Sequence, residues 1–145
     1  MKVLLFITLT ITLLFACVST QDITDSLDNL MTNWISAFNN EDSNALSNYF
    51  WTDAKRIRNN ANNTQDVFDG IIRIMEDTNS LFNNVDASLF NYVLVKKDLE
   101  TDPKSPSYSY VVDLPKNKIE HSFYFKNIDN EWRIIKHVLD IEAFR

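Results

Sequence analysis

Glycine and cysteine are nearly missing from this 145-residue chain; each occurs once, as Gly70 and Cys17. A phosphate-cradling loop, a dinucleotide fingerprint and a nucleophile elbow each need at least two glycines at fixed offsets, so all three are excluded. One cysteine excludes a disulfide framework within the chain and a cysteine-based zinc site. Histidine occurs only at His121 and His137, with no close-spaced ligand pair, so no metal and no other cofactor is expected. Basic residues are few and form only small clusters against a formal charge of −6, which disfavours nucleic acid as a partner. What is present is apolar. Hydrophobic residues make up 45% of the chain and 18 residues are Phe, Trp or Tyr, enough for the core of one ordinary domain.

Residues 1–20 read MKVLLFITLTITLLFACVST. One lysine precedes an apolar run from Val3 to Ala16, and small residues follow at Ala16, Cys17 and Ser19. This is the order of a secretory signal peptide, with cleavage expected between Ala16 and Gln21. The run is short for a membrane span of ~20 apolar residues and lacks a basic stop-transfer flank. The sequence thus predicts a leader at 1–20, one domain at 21–145, secretion, and no membrane attachment after cleavage. Leu14-Phe15-Ala16-Cys17 offers an alternative, a bacterial lipoprotein anchored at Cys17, although the bulky Phe15 fits a lipobox poorly. Loss of the leader removes Lys2 and the only cysteine, leaving a chain of charge −7 that must hold together by packing alone. Asn62-Asn63-Thr64 is the one N-x-S/T sequon, in a polar stretch expected at the surface, and makes Asn62 a candidate glycosylation site.

Apolar residues at Ile23, Leu27, Leu30, Met31, Trp34, Ile35 and Phe38 keep a helical period. Asp42-Ser43 can cap a short second helix carrying Ala45, Leu46, Tyr49 and Phe50. Residues 55–65 are polar and Asn-rich and read as loop. Val67, Phe68, Ile71, Ile72 and Met75 suit a third helix, with Gly70 inside it or at the turn that starts it. The period then falls to two. Strands are expected over 86–98, from Tyr108 to Leu114, around Ile119–Lys126, and from Glu131 to about Ala143, with a short hairpin turn at Asp129-Asn130. Helices first and an antiparallel sheet after is the α+β order. The last strand reads as apolar on both sides, with Trp132, Ile134 and Val138 opposite Ile135, Leu139, Ile141 and Ala143. That pattern predicts burial of both faces, most simply by a homodimer through the outer sheet face.

Four local patterns carry a resemblance. Ala37-Phe38-Asn39-Asn40-Glu41-Asp42-Ser43-Asn44-Ala45-Leu46 is similar to an A-x-x-x-x-D-x-x-x-L step between helices. Tyr49-Phe50-Trp51-Thr52-Asp53-Ala54 is similar to L-F-x-x-D-A. Asp69-Gly70-Ile71-Ile72 matches a glycine before helix three, and Glu131-Trp132-Arg133-Ile134-Ile135 an x-W-x-I in the last strand. In this order the chain resembles the nuclear transport factor 2-like superfamily, with its SnoaL-like and ketosteroid-isomerase-like members. The resemblance implies a cone-shaped roll of three N-terminal helices packed on a curved four-stranded antiparallel sheet. It also implies a pocket; Trp34, Phe38, Tyr49, Phe50 and Trp51 read first as core residues, some of which could line that pocket together with Tyr110, Phe123 and Phe125. The isomerase-like members place a phenol on helix one, a carboxylate base after the short helix and a carboxylic acid on the third strand. Those positions fall on Trp34, Arg58 and His121. An arginine is not a base and an indole only donates a hydrogen bond, so that chemistry is not expected.

His121 shares a strand face with Ile119, Phe123 and Phe125 and is the leading candidate for an acid–base or ligand-bonding group. A structural histidine satisfied by its surroundings is the plainer reading. Asp113 or Asp140 could orient it. A two-residue turn at Asp129-Asn130 would pair Ser122 with His137 and put the histidines on opposite faces; a one-residue slip would unite them. Asp53 is a second catalytic candidate, with a cap or turn as its plainer role. Lys55-Arg56-Ile57-Arg58 is either an anion site or a solvated loop. The expected function is a secreted, non-enzymatic domain binding a small apolar ligand or a protein partner. The alternatives are a pocket enzyme of isomerase, dehydratase or hydrolase type using His121, and a structural dimerisation module.

Overall fold

The computed structural model describes residues 2–102 and 104–143, and side chains within 21–102 and 104–142. The side chains of the expected leader, Cys17 among them, and Pro103 lie outside the described residues. Among those described, no helix is long and apolar enough to cross a membrane. The chain divides into two compact units, residues 1–32 and 33–145.

Helix α1 spans Lys2–Asn39. In the first unit its described part is tied by Gln21 Nε2 donating to Asp25 Oδ1 at 3.0 Å and Ser26 Oγ donating to the Asp22 carbonyl at 2.8 Å, both one turn apart.

The second unit begins with the end of α1. Helix α2 (Ser43–Ser47) is capped as the sequence predicts, with Asp42 Oδ1 accepting from the Ala45 amide at 2.9 Å. Strands β1 (Phe50–Asn59) and β2 (Gln65–Asp69) follow, then α3 (Gly70–Phe82) and a 3-10 turn at Ala87–Leu89. Strands β3 (Val93–Asp98), β4 (Ser107–Asp113), β5 (Asn117–Ile128) and β6 (Glu131–Ala143) complete the unit. They form one six-stranded sheet in the order β2-β1-β6-β5-β4-β3, in which β1 and β6 run parallel and every other neighbour is antiparallel.

The sheet therefore corrects the expected one of four antiparallel strands. The two additional strands come from the stretch read as loop and from Val67-Phe68, read as helix. Lys55-Arg56-Ile57-Arg58 does alternate, but the residue facing inward is an arginine, so the apolar signal of a strand is missing. Gly70 opens α3 with φ +79°, a left-handed conformation that costs a residue with a Cβ. The first expected strand shrinks from 86–98 to β3, because Ala87–Leu89 winds into the 3-10 turn.

Between β5 and β6, Asp129 and Asn130 both take positive φ, 53° and 66°, as the two central residues of a type I′ turn do. Pairing follows that turn as far as Phe125 opposite Ile134, then slips, so that Tyr124 faces Lys136 and Ile135 is an extra residue. The bulge has two consequences. Phe123, not Ser122, faces His137, which brings both histidines to one face. The apolar residues on either side of the bulge, Ile134 before it and Leu139 and Ile141 after it, also come to that face. The two-sided pattern from which a dimer face was expected thus becomes largely one-sided.

The inner face carries Tyr108, Tyr110, His121, Phe123, Phe125, Ile134 and His137, all buried. The end of α1 packs on it through aromatic rings. Trp34 stacks on Phe38 at 5.2 Å between centroids and meets Phe123 edge-on at 4.8 Å. Phe38 in turn meets Phe82 and Phe90 edge-on at 5.2 and 5.3 Å. These are the separations and tilts that ring quadrupoles favour.

Candidate functional site

Parallel pairing of β1 with β6 sets Arg56 beside His137, and antiparallel pairing of β5 with β6 sets His121 two residue pairs along the ladder, on the same face. The three side chains form a buried row. Arg56 Nε donates to His137 Nδ1 at 3.2 Å, and His137 Nε2 lies 3.1 Å from His121 Nδ1. Phe123 stacks on His137 with centroids 4.2 Å apart and planes 12° apart, holding the ring in the plane of the row.

Arg56 is 4% exposed and depends on α3 for its partners. Its NH1 donates to Thr78 Oγ1 at 2.8 Å, to Asp77 Oδ2 at 3.2 Å and to the Ile74 carbonyl at 3.3 Å. The other oxygen of Asp77 accepts from Arg58 NH1 at 2.8 Å. Arg58 also donates to Asp66 Oδ2 from Nε and NH2, and Asn60 Nδ2 donates to the same oxygen at 3.0 Å. A charge buried this far is tolerable only when paired and hydrogen-bonded, and the Arg56 guanidinium is both. Burial lowers its pKa from the usual arginine value, an effect that the Asp77 carboxylate opposes.

Burial also holds both histidines neutral. It pushes the His121 pKa down to about 3, with the nearby Arg56 charge adding to the effect. His137 falls well below its ordinary value, first through burial, then through Arg56, then through His121. Burial raises the Tyr92 phenol well above its usual 10, against a smaller lowering by Arg56.

Among the described residues the row ends without a hydrogen-bond partner. His121 Nε2, Trp34 Nε1 and Tyr92 Oη are buried and have no hydrogen-bond partner among the described residues. The three rings adjoin one another through Tyr92, whose centroid lies 4.9 Å from His121 and 5.7 Å from Trp34. An unmade hydrogen bond to a buried polar group costs about 1–3 kcal/mol. The phenol and the two ring N–H-bearing side chains beside it put three such groups inside an otherwise aromatic interior.

The structure sorts the expected site residues. Trp34, Phe38, Tyr110, Phe123 and Phe125 are buried in the interior, while Tyr49 is half-buried ahead of β1. Phe50 is buried and also lines an outer groove of about 520 Å³ with Thr52, Ile71, Ile72 and Met75. Asp53 is exposed on β1 and has no place in the row. Neither aspartate expected to orient His121 does so: Asp140 is exposed and accepts from Asn59 Nδ2 at 2.5 Å, and Asp113 is exposed on β4. His137 takes that role. Asn62 is exposed in the β1–β2 hairpin, where its Oδ1 accepts from Thr64 Oγ1 at 2.6 Å. Among the described residues, no three His, Cys, Asp or Glu side chains gather as a metal site would require.

Asp77 and Thr78 were not among the expected site residues, and Arg56 was expected in an anion site or a solvated loop, not buried beside His137. The one available signal was Arg56 and Arg58 at i, i+2 about an isoleucine, which is strand spacing.

The sequence matches no family model and no curated protein. Solved structures do match. An NTF2-like protein with a cystatin-like fold from Novosphingobium aromaticivorans superposes with a TM-score of 0.69 at 12% identity, covering 88% of this chain and 87% of that one. An NTF-2 like protein of unknown function from Silicibacter pomeroyi gives 0.67 at 13%, covering 85% and 98%. A ketosteroid isomerase-like protein from Erwinia carotovora atroseptica gives 0.63 at 12%, covering 81% and 94%. With its helices, its mixed sheet and these superpositions, the chain has the α+β, cystatin-like fold of the nuclear transport factor 2-like and ketosteroid isomerase-like proteins.

Proposed function

We propose that this chain is a secreted, non-enzymatic binding domain that takes a small, largely apolar molecule against the inner face of its sheet. The observation that carries the reading is the buried, unpartnered Nε2 of His121, beside the equally unpartnered Trp34 Nε1 and Tyr92 Oη. Small-molecule sites are concave and mostly apolar with a few polar atoms in fixed positions, and this interior supplies the aromatic lining and the polar atoms. A catalytic role has less support. The ring nitrogen of His121 that does have a partner meets His137, not a carboxylate, and burial keeps both rings neutral through the physiological range. The residue order of the leader and the exposure of the Asn62 sequon support a secretory route.

Native mass spectrometry of the protein secreted by its own host tests the proposal. The expected species begins between Ala16 and Gln21 and, once any glycan is removed, carries one small molecule per chain. A ligand-free chain whose tryptophan fluorescence is also unchanged by aromatic probes would overturn the proposal.

A second reading, attachment to another protein or to a second copy, is favoured by β3. This edge strand leaves Val93, Leu94 and Val95 exposed by 52%, 41% and 54%. Val95→Lys tests it. The substitution should lower the oligomer mass seen by light scattering, and a mass already monomeric in the parent chain removes the dimer form of the reading.

A further inference from the structure

An arginine Nε–H can only donate a hydrogen bond. Arg56 directs its Nε–H at His137 Nδ1, so that nitrogen must be the bare, accepting one. A neutral imidazole carries one proton, and the proton of His137 therefore sits on Nε2. Nε2 lies 3.1 Å from His121 Nδ1, which in turn must accept. The single proton of His121 is left on Nε2, the atom with no partner. Three hydrogen-bonding side chains in a row thus carry one direction, set at the arginine and emerging at His121.

We infer that Arg56 and His137 are positioning residues which lock His121 in its Nε2–H tautomer, so that the interior selects a ligand by a hydrogen-bond acceptor. The selected class is a compact aromatic or aliphatic molecule bearing a neutral oxygen acceptor. A ligand whose only polar group is a donor would set two donors against each other at His121. The lock does not come from the histidines alone, because an isolated neutral His–His pair satisfies its shared hydrogen bond equally well in either direction. Asp77 and Thr78 take part at one remove, because they hold the Arg56 guanidinium in place. The ligand class rests on the binding function proposed above; the tautomer does not.

Two readouts on the full chain separate those parts. The first is the long-range 1H–15N spectrum of the histidine rings, which distinguishes a protonated ring nitrogen from a bare one without any ligand. The expected pattern at pH 7 is Nε2–H with bare Nδ1 in both rings. A proton on His121 Nδ1 would overturn the inference. Arg56→Met should mix the two tautomers of both rings, a signature that a merely structural arginine would not produce. If Arg56→Met does not fold, His137→Phe serves instead: it keeps a planar ring but removes both hydrogen bonds of the row, so His121 should show both tautomers. A His121 that stays wholly Nε2–H in the folded variant would show that the row sets no direction.

The second readout compares acetophenone with α-methylstyrene, which have the same shape but differ in C=O against C=CH2. Acetophenone should bind about tenfold more tightly, the ratio expected for one net hydrogen bond. Equal binding would overturn the selection by an acceptor while leaving the binding function intact. Binding of neither would count against the binding function, and the ring spectrum alone would then decide the tautomer.

Discussion

Acid should weaken this fold through its two buried histidines. In the unfolded chain each imidazole has a pKa near 6.5, whereas in the fold burial and the Arg56 charge hold His121 down to about 3 and His137 well below its ordinary value. Below about pH 6.5 the unfolded state therefore binds protons that the native state refuses, and stability falls as pH falls. The contribution is complete above pH 6.5 and is lost progressively toward pH 3. From pH 7 to pH 5 the linkage relation gives about 2 kcal/mol for His121, and His137 adds to it in the same direction. Against a total of ~5–15 kcal/mol for a small domain that is a large share. Urea unfolding followed by tryptophan fluorescence at several values between pH 7 and pH 5 measures it. The limiting slope should approach two protons taken up per chain on unfolding. His121→Phe, which keeps a planar ring in the same packing, should reduce the slope to about one proton. A stability change below ~1 kcal/mol between pH 7 and pH 5 would refute the reasoning, since it would mean that the native rings titrate almost as freely as the unfolded ones.

Three further outcomes are expected. Arg56→Met removes the donor shared by Asp77 and His137 while Arg58 stays paired with Asp77, and should cost about 1–3 kcal/mol in urea unfolding, as leaving buried hydrogen-bonding groups unsatisfied does; no measurable loss would mean that these groups are solvated. Gly70→Ala should destabilise by about 1–2 kcal/mol through its positive φ alone. The added methyl itself would sit at an ordinary 3.6 Å from the Thr52 carbonyl, so a neutral thermal melt would show that the turn relaxes. Secreted from a eukaryotic host, the parent chain should lose mass on glycosidase treatment and Asn62→Gln should not; a parent chain of bare polypeptide mass would exclude a glycan at that residue.

The parts of the fold legible in the sequence were those whose signal is local. The Asp42 cap, the helical spacing ending at Phe38, the Asp129-Asn130 turn and the extent of β6 each rest on residues within a few positions of one another. Strand β1 was illegible because its inward residue is Arg56, whose burial depends on Asp77 and Thr78, about twenty positions away on α3. The bulge at Ile135 was illegible for another reason. Ile134 and Ile135 are identical side chains, so the sequence holds no mark of which one steps out of the ladder. That single residue decides whether His121 and His137 lie on opposite faces or together. His121 was therefore recognisable as a candidate from its neighbours, whereas the row that gives it a direction was not.

The most direct test of the account is the His121 Nε2–H resonance during a titration with acetophenone. The account predicts that the full chain at pH 7 shows a proton on Nε2 of His121, and that this signal shifts in step with occupancy as the carbonyl oxygen accepts from it. A proton found on Nδ1, or an Nε2–H signal unmoved while the probe binds elsewhere, would contradict it.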